Sequence, residues 1–578
     1  MKKDLLLQLI RPFYGTRRFF IMILCFLFLI TINYCILGYI GVFSNIVEKI
    51  FFELLILVWL LSPLLLSNHI LIRLWCTLVL AVATLLNMVT LTTGIIYQVE
   101  ASETCWELIS NSSWSEIKEF AADFPLRTQL FSCFGLLTGI AISSVLLLVM
   151  TRKKYEISPV KVRSFSLNIP FLLCFVPFTC IVIFYLFSSP EKLLKKSIAT
   201  RYGYEYLVFK ARLGNLARLN DLKPPYEMLK FNQNSSDLLG VIVIGESAAR
   251  DHFGCYGYSR NTTPYFSQIK DELMLFDNIL SSSPVTPDAL KYLFTNAKLS
   301  DKSFQPTSSL TQLLHHLNAE TYLFSNQGAW SQYNMPMVLM FNRANEIKFF
   351  SGSAVNDHFF QYDEVILDDF LRIEKQPMGK SPRFIFLHLY GSHRKFDQRT
   401  PPEDILFPAT FRDRLTRNNS RAAKELNAYD SSIAYTDKIL KTVIEQLKKR
   451  NDQPVFLLYF SDHGEVMNAS GKDKRSYHCT RREAFEIPFV VWTNEEYRKR
   501  FPDMIRNGTG NLHKLAQTDR LFPSLCALLQ ISWKDFPNTQ NLFSTRYIPM
   551  DKVYSQKGKS AVFTDRNGNK VVFPKDKK

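Results

Sequence analysis

The chain has 578 residues, 47% of them hydrophobic, and a formal net charge of +17. That length suits two or three domains. The apolar residues crowd into the first 190 positions, in runs long enough to cross a bilayer, which excludes a chain that is soluble throughout.

Five runs read as membrane spans: 19–42, 51–67, 70–92, 131–150 and 169–187, the second being the shortest. One such run is more often a buried core helix. Five in sequence, almost free of charge, are not. The first is too long for a cleaved signal peptide and lacks a small-residue cleavage site, so it reads as a signal anchor. Lys2, Lys3, Arg11, Arg17 and Arg18 precede it, and the loop 151–163 holds five basic residues and one acid. The loop 94–130 sets Lys118 and Arg127 against six acids. Basic loops stay in the cytoplasm. The N-terminus is therefore inside, and an odd number of spans sends everything after about Ser188 to the outside.

Residues 1–190 contribute +4 of the charge and the remainder +13. A basic exported domain on a membrane suits anionic surfaces or lipid headgroups. Nucleic acid would lie on the wrong side, and the chain carries no nucleic-acid motif. Six of the ten Cys fall in the spans and Cys105 in the acidic external loop. Only Cys255, Cys479 and Cys526 belong to the exported part, so it has no disulfide framework.

Residues 189–236 form a connector. Lys and Arg alternate there with Leu, Tyr and Phe at helical spacing, as in a helix lying on a membrane surface or one packed on the next domain. LKPPYEMLKFNQNSSD then breaks the pattern, and the last domain, 237–578, starts near Asp237. Short apolar runs recur from there: LLGVIVIGE (238–246), TYLFSNQ (321–327), RFIFLHLYGSH (383–393), PVFLLYFSDHGE (454–465) and FEIPFVVW (485–492). Such runs are strands buried on both faces. The segments SSLTQLLHHLNA and AYDSSIAYTDKILKTVIEQLKKR between them are helical. The alternation predicts an α/β domain with a mostly parallel central sheet. AVFTDRNGNKVVF near the end predicts a hairpin turning at Asn567-Gly568.

Ligands of open parallel sheets bind beyond the carboxyl ends of the strands. Glu246 follows the first run, His393 the third, and Asp462 and His463 the fourth; His478 lies shortly before the fifth. Each alone is more often a cap, a turn residue or a solvated side chain. Together they make a carboxylate–imidazole set that suits Zn²⁺, with Mn²⁺ the alternative. Thr286, in SSSPVTPDAL, sits in a polar loop entering a helix. It reads as an N-cap with Pro287 at the first helical position and Asp288 in the first turn. A metal beside it would also activate it as a nucleophile.

The series GES with Arg250, YGYSRNTTP (256–264), Thr286, HLYGSH (388–393), YDSSIAYTD (429–437), YFSDHGE (459–465) and EIPFVVW (486–492) resembles the bacterial membrane-bound phosphoethanolamine transferases of the alkaline phosphatase and sulfatase superfamily. The resemblance implies a zinc held by Glu246, Asp462, His463 and Thr286, with Thr286 also the nucleophile. It implies that His393 and His478 contact the transferred phosphoryl group, move protons or hold a second zinc, and that Asn326 lies near the headgroup. Phosphatidylethanolamine is the implied donor, lipopolysaccharide the acceptor, and the Gram-negative inner membrane the location, with a monomeric enzyme facing the periplasm. The small residues and Cys that follow the Thr in the lipid A branch are replaced here by Pro-Asp-Ala-Leu, which points to the core-heptose branch. A phosphoglycerol transferase, or a phosphodiesterase or sulfatase of the same superfamily, is the alternative. A catalytically dead binding module would first lose a ligand, and all four are present.

Overall fold

The computed structural model describes scattered residues before 169, chiefly 45–61, and then 169–571 apart from 302–303, 328–335, 351–360, 417–420, 468–480 and short gaps after 551. The predicted span 131–150 and the basic loop 151–163 lie outside the described residues, as do His478, the Asn567-Gly568 turn and most of the first and third runs. The chain divides into two compact units, 1–106 with 120–210, and 107–119 with 211–578.

In the first unit a helix covers Ile46–Leu61 and another Ile169–Ser188, on the second and fifth predicted runs. Among the described residues no helix is long and apolar enough to cross a membrane, the side chains of the second helix being described only over its later part. A buried cluster of Phe52, Leu55, Ile56, Val182 and Leu193 joins them. A helix over Ile198–Leu219 passes into the second unit, where Leu216 and Leu219 are buried in that unit's core.

The second unit is built on a seven-stranded sheet. Its strands are β1 (Leu239–Gly245), β2 (Leu273–Phe276), β3 (Glu320–Ser325), β4 (Glu346–Phe349), β5 (Arg383–His388), β6 (Val455–Ser461) and β7 (Phe489–Thr493), in the spatial order β2-β7-β6-β1-β5-β3-β4. β1 lies at the centre, and every residue of β1, β5 and β6 is buried. Alternate residues of β1 feed two cores: Ile242 and Ile244 on one face, Leu239, Val241 and Val243 on the other. On the first face packs α1 (Thr286–Leu293), through Leu290 and Leu293. On the second packs α2 (Arg421–Leu447), through Tyr429, Ile433, Leu440 and Ile444.

The sheet is mixed: most of its pairings are parallel, as the alternation predicted, but not all. β6, β1, β5, β3 and β4 pair in parallel, but β7 runs antiparallel to both β6 and β2. The reversal has a consequence for the site. The approach to β7, not its end, reaches the edge where β1 and β6 finish. Leu280 bridges to Glu486 there, and Ser281 N–H donates to Phe485 O at 2.7 Å. Near the C-terminus Phe563–Thr564 pairs antiparallel with Lys570–Val571, as a hairpin requires.

Candidate metal and nucleophile site

Four parallel strands end on one edge of the sheet, and the chemistry gathers there. Glu246 follows β1, Asp462 and His463 follow β6, Asn326 and Gln327 follow β3, and the segment to His393 follows β5. β1 and β6 are direct neighbours in register, Gly245 opposite Ser461. That pairing brings residues far apart in sequence to adjacent positions. One carboxylate oxygen each from Glu246 and Asp462 and one ring nitrogen of His463 lie within 4.8 Å of one another.

Each ligand candidate is held by its neighbours. Glu246 accepts Ser247 Oγ at 2.7 Å and Gln327 Nε2 at 2.8 Å. Asp462 Oδ1 accepts the backbone N–H of Ser247 at 3.0 Å and of His463 at 2.7 Å. Asp462 Oδ2 is buried and accepts no hydrogen bond. His463 Nδ1 lies 2.8 Å from Gly464 O, a carbonyl that can only accept, so Nδ1 carries a proton and Nε2 is the ring nitrogen turned to the carboxylates, free to exchange its own proton for a cation. Nε2 lies 3.4 Å from Glu246 Oε1 and 3.5 Å from Asp462 Oδ2.

The electrostatics describe a site short of positive charge. Burial pushes the Asp462 carboxyl up, and the Glu246 charge adds to the rise. Burial opposes charge at Glu246 too, but His463 overcomes it and holds the carboxyl below its usual range. At His463 burial is overcome by Asp462 and Glu246, and the imidazole rises. A buried carboxylate oxygen without a partner, a second carboxylate and a correctly turned imidazole together fit a divalent cation, and the O,O,N set with a hydroxyl beside it fits zinc.

Thr286 supplies that hydroxyl. Its Oγ1 donates to Glu246, 3.0 Å from Oε2 and 3.3 Å from Oε1. Here the sequence reading is corrected by one position. Val285, with φ −143° and ψ 127°, is the N-cap and Thr286 is the first residue of α1; no side chain caps the helix. A Thr used as cap would turn its oxygen back onto its own helix. At the first helical position it turns toward Glu246 instead. Asp288 forms an ion pair with Lys291 on the next turn, so its charge is largely neutralised at that helix end. The preceding loop is moored to the ligand strand, with Ser281 Oγ 2.5 Å from Asp462 O.

His393 is half-buried, and its Nδ1 is buried without a hydrogen-bond partner. Burial pushes its imidazole down to about 4, against the pull of Glu246 and with Arg399, His463 and Arg394 adding to the fall. Asn326 turns elsewhere. Its amide donates to Gln361 O and to Asp363 Oδ1, both at 2.9 Å. Asp363 in turn accepts the backbone N–H groups of Tyr390 and Gly391 at 2.6 and 2.9 Å. Asn326 thus shapes the loop that carries His393. Gln327, its neighbour, reaches Glu246. The strand-end rule that found the other residues applies equally to Gln327, but an uncharged amide carries no chemical signature in a sequence.

Two glycines of these motifs are required by close approach. Gly391 has φ +53°, and a Cβ there would lie 2.9 Å from Glu246 N. A Cβ on Gly464 would lie 2.0 Å from Glu483 O. Both let a loop pass against backbone that bears or flanks the site.

A three-layer α/β domain with a strand-end carboxylate–imidazole cluster beside a helix-borne hydroxyl defines a class, and sequence comparison agrees: residues 239–531 match the sulfatase family, and the chain belongs to it. Relatives within that family include phosphoethanolamine transferases. Phosphoethanolamine transferase EptC of Escherichia coli O18:K1:H7 is 24% identical over 471 residues, 78% of this chain and 79% of that one. The periplasmic domain of EptC from Escherichia coli, solved in complex with Zn, shares the fold with a TM-score of 0.52 at 23% identity, over 57% of this chain and 92% of that one. The integral membrane protein lipooligosaccharide phosphoethanolamine transferase A from Neisseria meningitidis matches over 88% of this chain and 94% of its own, with a TM-score of 0.57 at 15% identity.

Proposed function

We propose that the protein is a zinc-dependent phosphoethanolamine transferase of a Gram-negative inner membrane, with 1–188 as the membrane domain, 189–236 as the connector and 237–578 as the periplasmic catalytic domain. The donor is phosphatidylethanolamine and the acceptor is lipopolysaccharide, at a core heptose, with a lipid A phosphate as the alternative position. The observation that carries this reading is the hydrogen bond from Thr286 Oγ1 to Glu246 beside the orphaned Asp462 Oδ2. The names of the relatives and the five apolar runs support the substrate and the location.

Glu246, Asp462, His463 and Thr286 would hold the zinc. Bound there, zinc lowers the pKa of the hydroxyl and draws charge from a phosphoryl oxygen. Thr286 Oγ gives up its proton and attacks the donor phosphorus, the bond to the diacylglycerol oxygen breaks, and that oxygen leaves with the proton. The chain then carries phosphoethanolamine on Thr286, at the uncapped N-terminus of α1, where the helix dipole favours an anion. An acceptor oxygen attacks the same phosphorus and Thr286 Oγ departs. His393 and His478 serve as contacts to the phosphoryl group or as proton carriers.

The test is a labelled donor lipid offered to the protein without acceptor. Mass spectrometry should find one phosphoethanolamine on Thr286 and none on a Thr286→Ala variant. A phosphoglycerol adduct would instead make it a phosphoglycerol transferase, and a chain that turns over donor with no adduct would be a phosphodiesterase.

A further inference from the structure

The two carboxylates depend on a turn that a distant side chain closes. Leaving β1, Ser247 adopts φ +55°, a left-handed conformation that a residue with a Cβ avoids. In this conformation Ser247 does three things. Its N–H donates to Asp462 Oδ1 at 3.0 Å, its Oγ donates to Glu246 Oε1 at 2.7 Å, and its carbonyl accepts from Tyr429 Oη at 2.8 Å. The same Tyr429 oxygen accepts the N–H of Ala249 at 2.8 Å. One hydroxyl therefore donates to one side of the turn and accepts from the other.

Tyr429 is itself rigidly set. It is fully buried on α2, with Phe396 and His252 packed edge-on at ring distances of 4.9 and 5.0 Å. The next residue, Asp430, takes Arg260 Nη1 at 2.7 Å, Tyr258 Oη at 2.9 Å and His252 Nδ1 at 2.9 Å. Burial keeps the phenol protonated, hence a donor.

Without that hydroxyl, the carbonyl of Ser247 and the N–H of Ala249 lose their partner in a buried place, and nothing offsets the left-handed turn on that side. The turn then relaxes, and the two groups that Ser247 directs at Asp462 and Glu246 move with it. We infer that Tyr429 is a positioning residue for the metal site, setting its cation affinity through the Ser247 turn without touching the cation. The inference rests on the proposed metal site.

The test is zinc binding by the purified full-length protein, measured by competition with a chromophoric chelator. Tyr429→Phe keeps the ring and removes only the hydroxyl. It should bind zinc 10- to 100-fold more weakly, the range for partners that orient metal ligands, and excess zinc should restore most of the transfer rate. Tyr435→Phe, another buried tyrosine of α2 whose hydroxyl lies 3.4 Å from Glu364 N, is the control and should bind as the wild type does. An unchanged affinity in Tyr429→Phe, or an equal loss in both, overturns the inference. A wild-type protein that binds no zinc overturns the site itself and the inference with it. Should Tyr429→Phe fail to fold, hydrogen exchange in the wild type decides: coupling is reciprocal, so zinc should slow exchange of the Ala249 amide at least tenfold, and no slowing overturns the proposal.

Discussion

Thr286 and Glu246 stand 40 residues apart in sequence and 3.0 Å apart in space, with the hydroxyl of the first donating to the carboxylate of the second. The contact exists because Glu246 ends the central strand while Thr286 starts the helix packed on the same face. Glu246 is held by Ser247 and Gln327, whereas Thr286 has no capping duty that would hold it back. Thr286 does not cap its helix, and the second carboxylate beside it, Asp462, keeps one oxygen without a hydrogen bond.

Removing that donor at a fixed fold is the sharpest test of the contact. Thr286→Val preserves shape and loses the hydroxyl; transfer should fall by at least about 10³-fold, as expected when a covalent route is lost. Thr286→Ser should retain measurable transfer. A Thr286→Val variant within tenfold of wild type would exclude Thr286 as the nucleophile.

The metal should be visible as stability. A cation that binds only the folded chain stabilises it by about 2.7 kcal/mol when free cation is 100 times its dissociation constant. Zinc added to chelator-treated protein should raise the melting temperature of the second unit, and Asp462→Asn should abolish most of that rise. A melting temperature indifferent to zinc in the wild type would contradict the site.

Gly391→Ala should be costly for two reasons at once. Its φ is +53°, and its Cβ would crowd Glu246 N at 2.9 Å. Together these should cost about 1–3 kcal/mol in urea unfolding and lower transfer more than stability alone explains, since the atom displaced belongs to a candidate ligand.

Arg260 should matter to folding more than to chemistry. Its guanidinium bonds Asp430 at 2.7 Å and Asp413 at 2.7 and 3.0 Å, and it lies 5.1 and 5.2 Å from the Phe407 and Phe411 ring centres. Arg260→Ala leaves Asp430 buried without its cation, a loss of about 3–5 kcal/mol. Arg260→Lys keeps the charge but not the fork and should fall between. Equal stability of the three proteins would refute the role.

Asp437 gives a pH signature away from the site. Burial pushes its carboxyl up to about 7, although it accepts Tyr265 N at 2.7 Å and Phe266 N at 3.1 Å. The unfolded chain releases that proton near about 4. The folded chain therefore binds more protons in between, so this contribution is full below about pH 4 and is lost as pH rises through 7. Relative to Asp437→Asn, the wild type should lose stability from pH 4 to pH 8; a pH-independent difference between the two would show that the carboxyl is not held protonated.

Much of this was legible in the sequence, for a physical reason. Strands buried on both faces must be apolar throughout, so LGVIVIG, RFIFLH and VFLLYFS stand out, and acids placed just after them stand out too. The edge strands β2 and β4 lack that signature, since each has partly exposed residues. The direction of β7 was hidden because an apolar run reads the same whichever way it pairs. Tyr429 and Gln327 were hidden because their work is done by neutral hydrogen bonds. The motif YDSSIAYTD was noticed as a resemblance, but its meaning lies in where α2 places it.

The central position of β1 bears on how the protein is made. Ser247 meets Asp462 across 215 residues of chain. At about 5–20 residues per second, roughly 10–40 s of synthesis separate the two. For most of that interval LGVIVIG has neither neighbour, and once Arg383–His388 has been made it still has one open edge, which invites strands from other chains. A growing chain released between His388 and Val455 would carry Glu246 and Thr286 but lack Asp462 and His463, and its central strand would have one edge open.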